Sequence, residues 1–202
     1  MADVPYQPSG RPLHDPRELR AVAHPVRNRI LTELGATGPM RAADLARELG
    51  IPANQASFHL RQLAKYGLIE EDPDAGRDRR DRVWRMTSTT GVSIDLKALE
   101  EQPGGAAAVE VFRRNAAGWG HVVVDAIYSA RREDGVIRTL NDSAVRLTYE
   151  EAQEMAADFD ELVHRWQERT RGQEGERRTY LAFVALQPHP VTGAELAAGG
   201  ED

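Results

Sequence analysis

Residues 51–72 read IPANQASFHLRQLAKYGLIEED. From Pro52 to Ile69 there is no carboxylate, in a chain whose formal net charge is −6. Gly50 and Gly67 bracket a helical spacing, so a helix over about 53–66 is expected. With Leu60 pointing inward, Ala53, Ala56, Leu63 and Ala64 fall beside it on a helical wheel. Asn54, Gln55, Phe58, Arg61, Gln62 and Lys65 fall on the far side, with Ser57 and His59 on the flanks. That outer face carries amides and cations, the groups that read base edges. An amide can pair with adenine, Arg with guanine, a hydroxyl with donors or acceptors, and an aromatic ring can touch the thymine methyl. A carboxylate there would face phosphates, which gives its absence an electrostatic reason. A solvated helix face explains any one of these residues, and for Gln62 alone it is the better account. The uninterrupted run points to DNA reading.

The flanking sequence supplies the scaffold for such a helix. Asp15-Pro16-Arg17-Glu18 places a capping Asp before Pro at the first helical position and opens a helix to about Ala23. His24-Pro25 restarts a second helix with Val26, Ile30, Leu31 and Leu34 on one face, ended by Gly35 and Gly38. A third, RAADLAREL, puts Ala42, Leu45, Ala46 and Leu49 inward and stops at Gly50. After the fourth helix, LIEED and RVWRMT read as two short strands around the charged loop PDAGRDRRD. Two helices across a tight turn, followed by a hairpin, make a winged helix-turn-helix over 15–92, preceded by a Pro-rich flexible arm at 1–14. The wing over 73–82 carries Arg77, Arg79, Arg80 and Arg82 among Asp74, Asp78 and Asp81. It would clamp phosphates or enter a minor groove; the competing account is a hairpin held by its own ion pairs.

HPVRNRILTEL (24–34), AADLARELGI (42–51) and SFHLRQLAKYGLIEED (57–72) resemble the ArsR family of winged helix-turn-helix regulators, over about residues 15–90. The resemblance implies a homodimeric DNA-binding transcriptional regulator, most often a repressor. It implies base-facing roles for Asn54, Gln55, Ser57, Phe58, His59 and Arg61, and a phosphate-facing Arg41 at the start of the third helix. Phe58 departs from the family, which often has a polar residue there, so the target sequence should differ. RAADLA lacks the cysteine-bearing metal motif of the family's arsenic and cadmium sensors.

Beyond the wing the expected architecture is mostly helical, giving a mainly α chain with a small β wing. Residues 93–105 read as a connector. A long amphipathic helix over 106–132 aligns Phe112, Ala116, Trp119, Val123, Ile127 and Ala130. Thr148-Tyr149-Glu150-Glu151 is a capping box that opens a helix to about Arg171, with Ala152, Met155, Phe159, Leu162, Val163 and Trp166 inward. TYLAFVALQP reads as a short strand, and 191–202 as a frayed tail. The span 106–190 is assigned to dimerisation or effector binding through Phe112, Trp119, Val123, Ile127, Tyr128, Phe159 and Trp166. Core plus dimer interface is the simpler account of these residues. A pocket for a small organic effector, bounded by Trp119, Tyr128, Phe159 and Trp166, is the sharper one.

Bulk composition sets the outer bounds. The chain has 202 residues, 41% hydrophobic and 29% charged, as a globular protein has. Residues 1–90 carry 14 Lys+Arg against 12 Asp+Glu, and residues 91–202 carry 12 against 20. Nucleic-acid contact is therefore expected from a local patch in the first half. The absence of cysteine removes disulfides, thiolate metal sites and Cys nucleophiles. No apolar run reaches membrane-spanning length and no signal-like region opens the chain, so a cytoplasmic protein without membrane contact is expected. His14, His24, His59, His121, His164 and His189 form no H-x-H or H-x₃-H pair, and neither a metal nor another cofactor is expected. No Gly-rich phosphate loop, G-x-S-x-G or H-E-x-x-H is present, so no enzyme is expected. The expected partners are a double-stranded DNA operator, a second copy of the chain and a small organic effector. The alternative is a winged helix that binds another protein and no DNA.

Overall fold

The computed structural model describes residues 10–73, 75, 82–129, 133–173 and 175–188. The elements run β1 (Arg11–Pro12), α1 (Pro16–Ala23), α2 (Pro25–Thr37), β2 (Met40–Arg41), α3 (Ala42–Leu49), α4 (Ala53–Lys65), β3 (Ile69–Glu71), β4 (Val83–Met86), β5 (Val92–Ser93), α5 (Leu96–Glu100), α6 (Gly105–Tyr128) and α7 (Tyr149–Thr170). The fold is a winged helix-turn-helix followed by a mostly helical second half.

Asp15 caps α1 by accepting from the Arg17 N–H at 2.7 Å. Glu18 does not close the box onto Asp15. It accepts from the His14 N–H at 2.9 Å and from Arg11 Nη2 at 2.6 Å, tying down the segment ahead of the helix. Residues 11–14, assigned from composition to a flexible arm, are accordingly structured. β1 pairs in parallel with β5, Arg11 opposite Val92, and Leu13 is buried. Residues 1–9 of that arm lie outside the described residues. Gly35 sits inside α2, and the helix ends instead at Gly38, whose φ of +98° is open to glycine and whose N–H bonds the Leu34 carbonyl.

The core forms where the apolar faces of α1 to α4 converge. Leu19, Val22, Ile30, Leu31, Leu34, Leu45, Leu49, Leu60 and Leu63 meet Leu68, Ile69 and Trp84 from the wing. The wing sheet has three antiparallel strands in the order β2-β4-β3, with Arg41 opposite Val83 and Glu71 opposite Trp84. β2 was not expected: two residues are too few to show a strand period.

The connector is structured too. Asp95 caps α5 through the Ala98 N–H at 3.0 Å, and Leu99 is buried. α6 begins so close to α5 that a Cβ on Gly105 would overlap the Leu99 carbonyl. Gly105, Ala108 and Val109 are buried at the start of α6, the helix that packs on α1, and Asn115 donates to the Ala23 carbonyl at 3.0 Å. The helix then leaves the core and ends at Tyr128, short of 132; Ala130 lies outside the described residues. α7 has both arms of its capping box, Thr148 Oγ1 accepting from the Glu151 N–H and Glu151 from the Thr148 N–H. Its end docks on α2, with Arg171 Nη2 donating to the Gly35 carbonyl at 3.0 Å and the Gly172 N–H to that of Thr37 at 3.3 Å.

The expected inward face of α7 is not a core. Ala152, Met155 and Phe159 are half-buried; Leu162, Val163 and Trp166 are exposed. Amphipathicity fixes which residues share a face but not what covers it. TYLAFVALQP forms no strand among the described residues, because no neighbouring edge pairs with it. The tail at 191–202 lies outside the described residues. No helix among the described residues is long and apolar enough to cross a membrane.

Candidate nucleic-acid interface

α3 and α4 meet across a turn made by Gly50, Ile51 and Pro52. Gly50 adopts φ +64°, and the Ile51 N–H closes onto the Ala46 carbonyl at 2.9 Å. A side chain at Gly50 would be strained in that left-handed conformation. Pro52 then takes the N-cap position of α4 and offers no side-chain acceptor. The Asn54 carboxamide bonds the Gln55 N–H at 2.9 Å, and no acidic residue stands in the first turn. The positive end of the helix is thus left open toward an anion. The signal for this was legible, a Pro where Ser, Thr, Asp or Asn would ordinarily cap, but the sequence reading did not use it.

Ala56, Leu60 and Leu63 anchor α4 in the core. On the opposite side Asn54, Gln55, Phe58, Arg61 and Lys65 are exposed, and Ser57 and Gln62 are half-buried. Phe58 leaves 49% of its surface open. Lys65 Nζ lies 5.8 Å from the centre of the Tyr66 ring. Two expectations on this helix fail. Ala53 is exposed, because the first residue of α4 projects past its packing partners. His59 is 5% exposed and faces inward. The flank it occupies is covered by the start of α2, where the His24 ring lies 4.7 Å away between centroids. His59 is therefore removed from the base-reading set and becomes a support beneath it. Spacing could not reveal a pair so far apart in sequence.

Among the described residues neither His24 Nδ1 nor His59 Nδ1 has a hydrogen-bond partner. Burial, then His24 and Arg27, holds the His59 pKa below its ordinary value; burial and Arg27 do the same for His24, partly opposed by a backbone hydrogen bond. Both groups therefore stay neutral in the fold where the unfolded chain would protonate them. The unfolded state binds more protons, so stability rises with pH and is fully present above the unfolded value of about 6.5. It is lost progressively as pH falls below that. Urea midpoints taken from neutral to mildly acid pH should drop, and His59→Leu should flatten the drop. An unchanged pH slope in that variant would remove the histidine pair as its cause.

The wing flanks α4. Arg41 lies at the end of β2, half-buried, directly ahead of α3. Arg82 pairs with Glu71 at 2.8 Å, and Arg85 with Glu70 at 2.8 Å and Asp72 at 3.8 Å. The pairs to Glu71 and Glu70 are exposed and contribute little, so a phosphate can replace those carboxylates. Arg77, Arg79 and Arg80 lie outside the described residues.

The second-half candidates do not gather into one site. Phe112 packs at the edge of the core. Val123, Ile127 and Phe159 are half-buried; Trp119, Tyr128 and Trp166 are exposed. One hollow of about 230 Å³ is lined by Ile127, Tyr128, Val136 and Leu140 with Glu133 and Arg138. A second, of about 290 Å³, includes Phe159, Val163, His164 and Val184. Neither includes Trp119 or Trp166, and both fall below the roughly 300–1,000 Å³ of ordinary ligand clefts. Among the described residues no three His, Asp or Glu converge on a metal position.

No curated protein matches the chain. The crystal structure of the transcriptional regulator Tm0710 from Thermotoga maritima aligns over 75% of this chain and 85% of that one, at 15% identity and a TM-score of 0.30. Residues 22–72, which hold α2, β2, α3, α4 and β3, match the family described as helix-turn-helix domain.

Proposed function

We propose that the chain is a sequence-specific, double-stranded-DNA-binding transcriptional regulator of the ArsR type, acting as a homodimeric repressor. α4 lies in the major groove, with Asn54, Gln55, Ser57, Phe58, Arg61, Gln62 and Lys65 toward the bases and nearby phosphates. Arg41 and the wing arginines Arg77, Arg79, Arg80 and Arg82 meet the backbone or the minor groove. The observation that carries this reading is the exposed, carboxylate-free face of α4 on a helix whose other face is locked into the core. Repression follows if the operator overlaps a promoter. Phe58, exposed in the middle of that face, supports the second reading, a winged helix that binds a protein partner.

Selection from a random duplex pool decides between them. The DNA reading expects two enriched half-sites related by a two-fold axis. Affinity for the selected site should fall linearly with the logarithm of salt concentration. Arg79→Ala and Arg80→Ala should weaken all sequences alike and shallow that slope by about one unit per lost phosphate contact. A pool that enriches nothing, with a salt-insensitive interaction with a protein, would leave the second reading standing.

A further inference from the structure

We propose that a second copy of this chain covers the apolar surface of residues 111–186, and that the segment 179–186 of each copy adds edge to edge to the same segment of the other across a two-fold axis. This rests on the dimeric reading above and specifies its contact.

The first observation is where the exposed apolar surface lies. Phe58 apart, every exposed large hydrophobic among the described residues falls between Val111 and Leu186. α6 shows Trp119, Val122, Val124 and Tyr128 to solvent beyond its buried first turns. α7 runs 22 residues with a complete capping box and buries none of them. Helices of this kind owe most of their stability to packing of the apolar face, and among the described residues that face is covered only in part, by Ala182 and Val184 beside Phe159 and Val163. Half-exposed side chains in this number leave on the order of 1,000 Å² of apolar surface. The largest patch on a typical monomer is about 300–600 Å². A standard interface takes about 800 Å² from each partner. The surface is thus of the size that a dimer requires.

The second observation concerns the backbone. Residues 179–186, TYLAFVAL, contain no glycine, proline or charge and are rich in aromatic and aliphatic side chains suited to strands. They form neither helix nor strand, and no backbone hydrogen bond ties them to other described residues. Their start is nevertheless fixed. Thr179 Oγ1 donates to Glu33 on α2 at 2.8 Å, and Arg178 pairs with Glu133 at 2.9 Å. An apolar run with strand composition, held at one end and unpaired along its amides and carbonyls, is an edge that invites another strand. Residues 139–147 are also unpaired, but Asn141 and Asp142 interrupt them with turn-forming residues. The uninterrupted run is therefore assigned to the two-fold contact, where a segment meets its own copy and a single sequence supplies both sides.

The 202 residues hold no cysteine, so single-cysteine variants report proximity cleanly. Ala182→Cys and Ala185→Cys, treated with a short bismaleimide, should give covalent dimers, whereas Arg47→Cys on exposed α3 should not. Ala182→Pro removes one ladder N–H while leaving apolar area nearly unchanged. It should weaken dimerisation at least tenfold by sedimentation, with the circular dichroism of the folded chain retained. Ala182→Ser serves as the control that keeps the N–H and the dimer. If Ala182→Pro fails to fold, the cross-linking pattern decides alone. A dimer that survives Ala182→Pro and cross-links at neither 182 nor 185 would overturn the strand contact and leave the dimeric reading intact. A chain that sediments as a monomer at tens of micromolar overturns both, whatever its affinity for DNA.

Discussion

Leu60→Ala is expected to lower the stability of the chain by about 2–5 kcal/mol. Leu60 is fully buried in the cluster that joins α1 to α4 and the wing. Truncation removes transfer free energy and leaves a cavity that the neighbours fill only in part. α4 has few other anchors. Ala56 is small and His59 is a neutral imidazole that tolerates burial, so Leu60 and Leu63 supply most of the apolar surface that seats the helix. Collapse around the missing side chain would have to move α2 or α3, both of which pack on α4. The effect should therefore fall in the upper part of that range. Lys65→Ala, on the exposed face of the same helix, should stay within about 0.5 kcal/mol of the parent. Urea denaturation followed by circular dichroism measures both. A loss under 1 kcal/mol at Leu60, against the range cited for buried leucines, would mean that α4 is not seated as described.

The contrast between those two positions also explains what the sequence made readable. The first four helices were legible because each is short, bounded by Asp, Pro or Gly, and turns one apolar stripe toward a core made by its neighbours. In that region the wheel places Leu45, Leu49, Leu60 and Leu63 correctly because period and burial coincide. His59 shows where this stops. A wheel fixes the angle of a side chain but not which neighbouring element covers a flank, and the start of α2 reaches it from 35 positions away. Pairings such as β1 with β5 are likewise invisible, since two-residue strands carry no period and proline content outweighs one buried leucine. In the second half the stripes on α6 and α7 were read correctly as stripes. What covers them was not legible: Leu162, Val163 and Trp166, expected inward, are exposed among the described residues. The wing strands were legible from alternation and turn composition.

Arg61→Ala and Gln55→Ala should each weaken specific DNA binding by about 1–3 kcal/mol and relax base preference at one position. Tenfold in affinity corresponds to about 1.4 kcal/mol, so roughly a 5- to 150-fold loss is expected. Both side chains stand on the exposed face of α4, and neither makes an ion pair within the described residues. A planar guanidinium or a carboxamide held free on a rigid helix can form a bidentate pair with a base edge without first breaking an internal contact. The two substitutions should differ in their salt behaviour. Removing Arg61 also removes a cation from the phosphate field, so it should weaken nonspecific binding and shallow the salt slope. Gln55 is uncharged, and its loss should leave nonspecific affinity and slope nearly unchanged while costing discrimination. Anisotropy titrations against the selected operator, single-base variants of it and a random duplex, each at several salt concentrations, separate these terms. Parallel losses on operator and random duplex for Gln55→Ala would place that residue on the backbone rather than on a base. If the wing substitutions shifted base preference while the α4 substitutions did not, the roles of helix and wing would be exchanged.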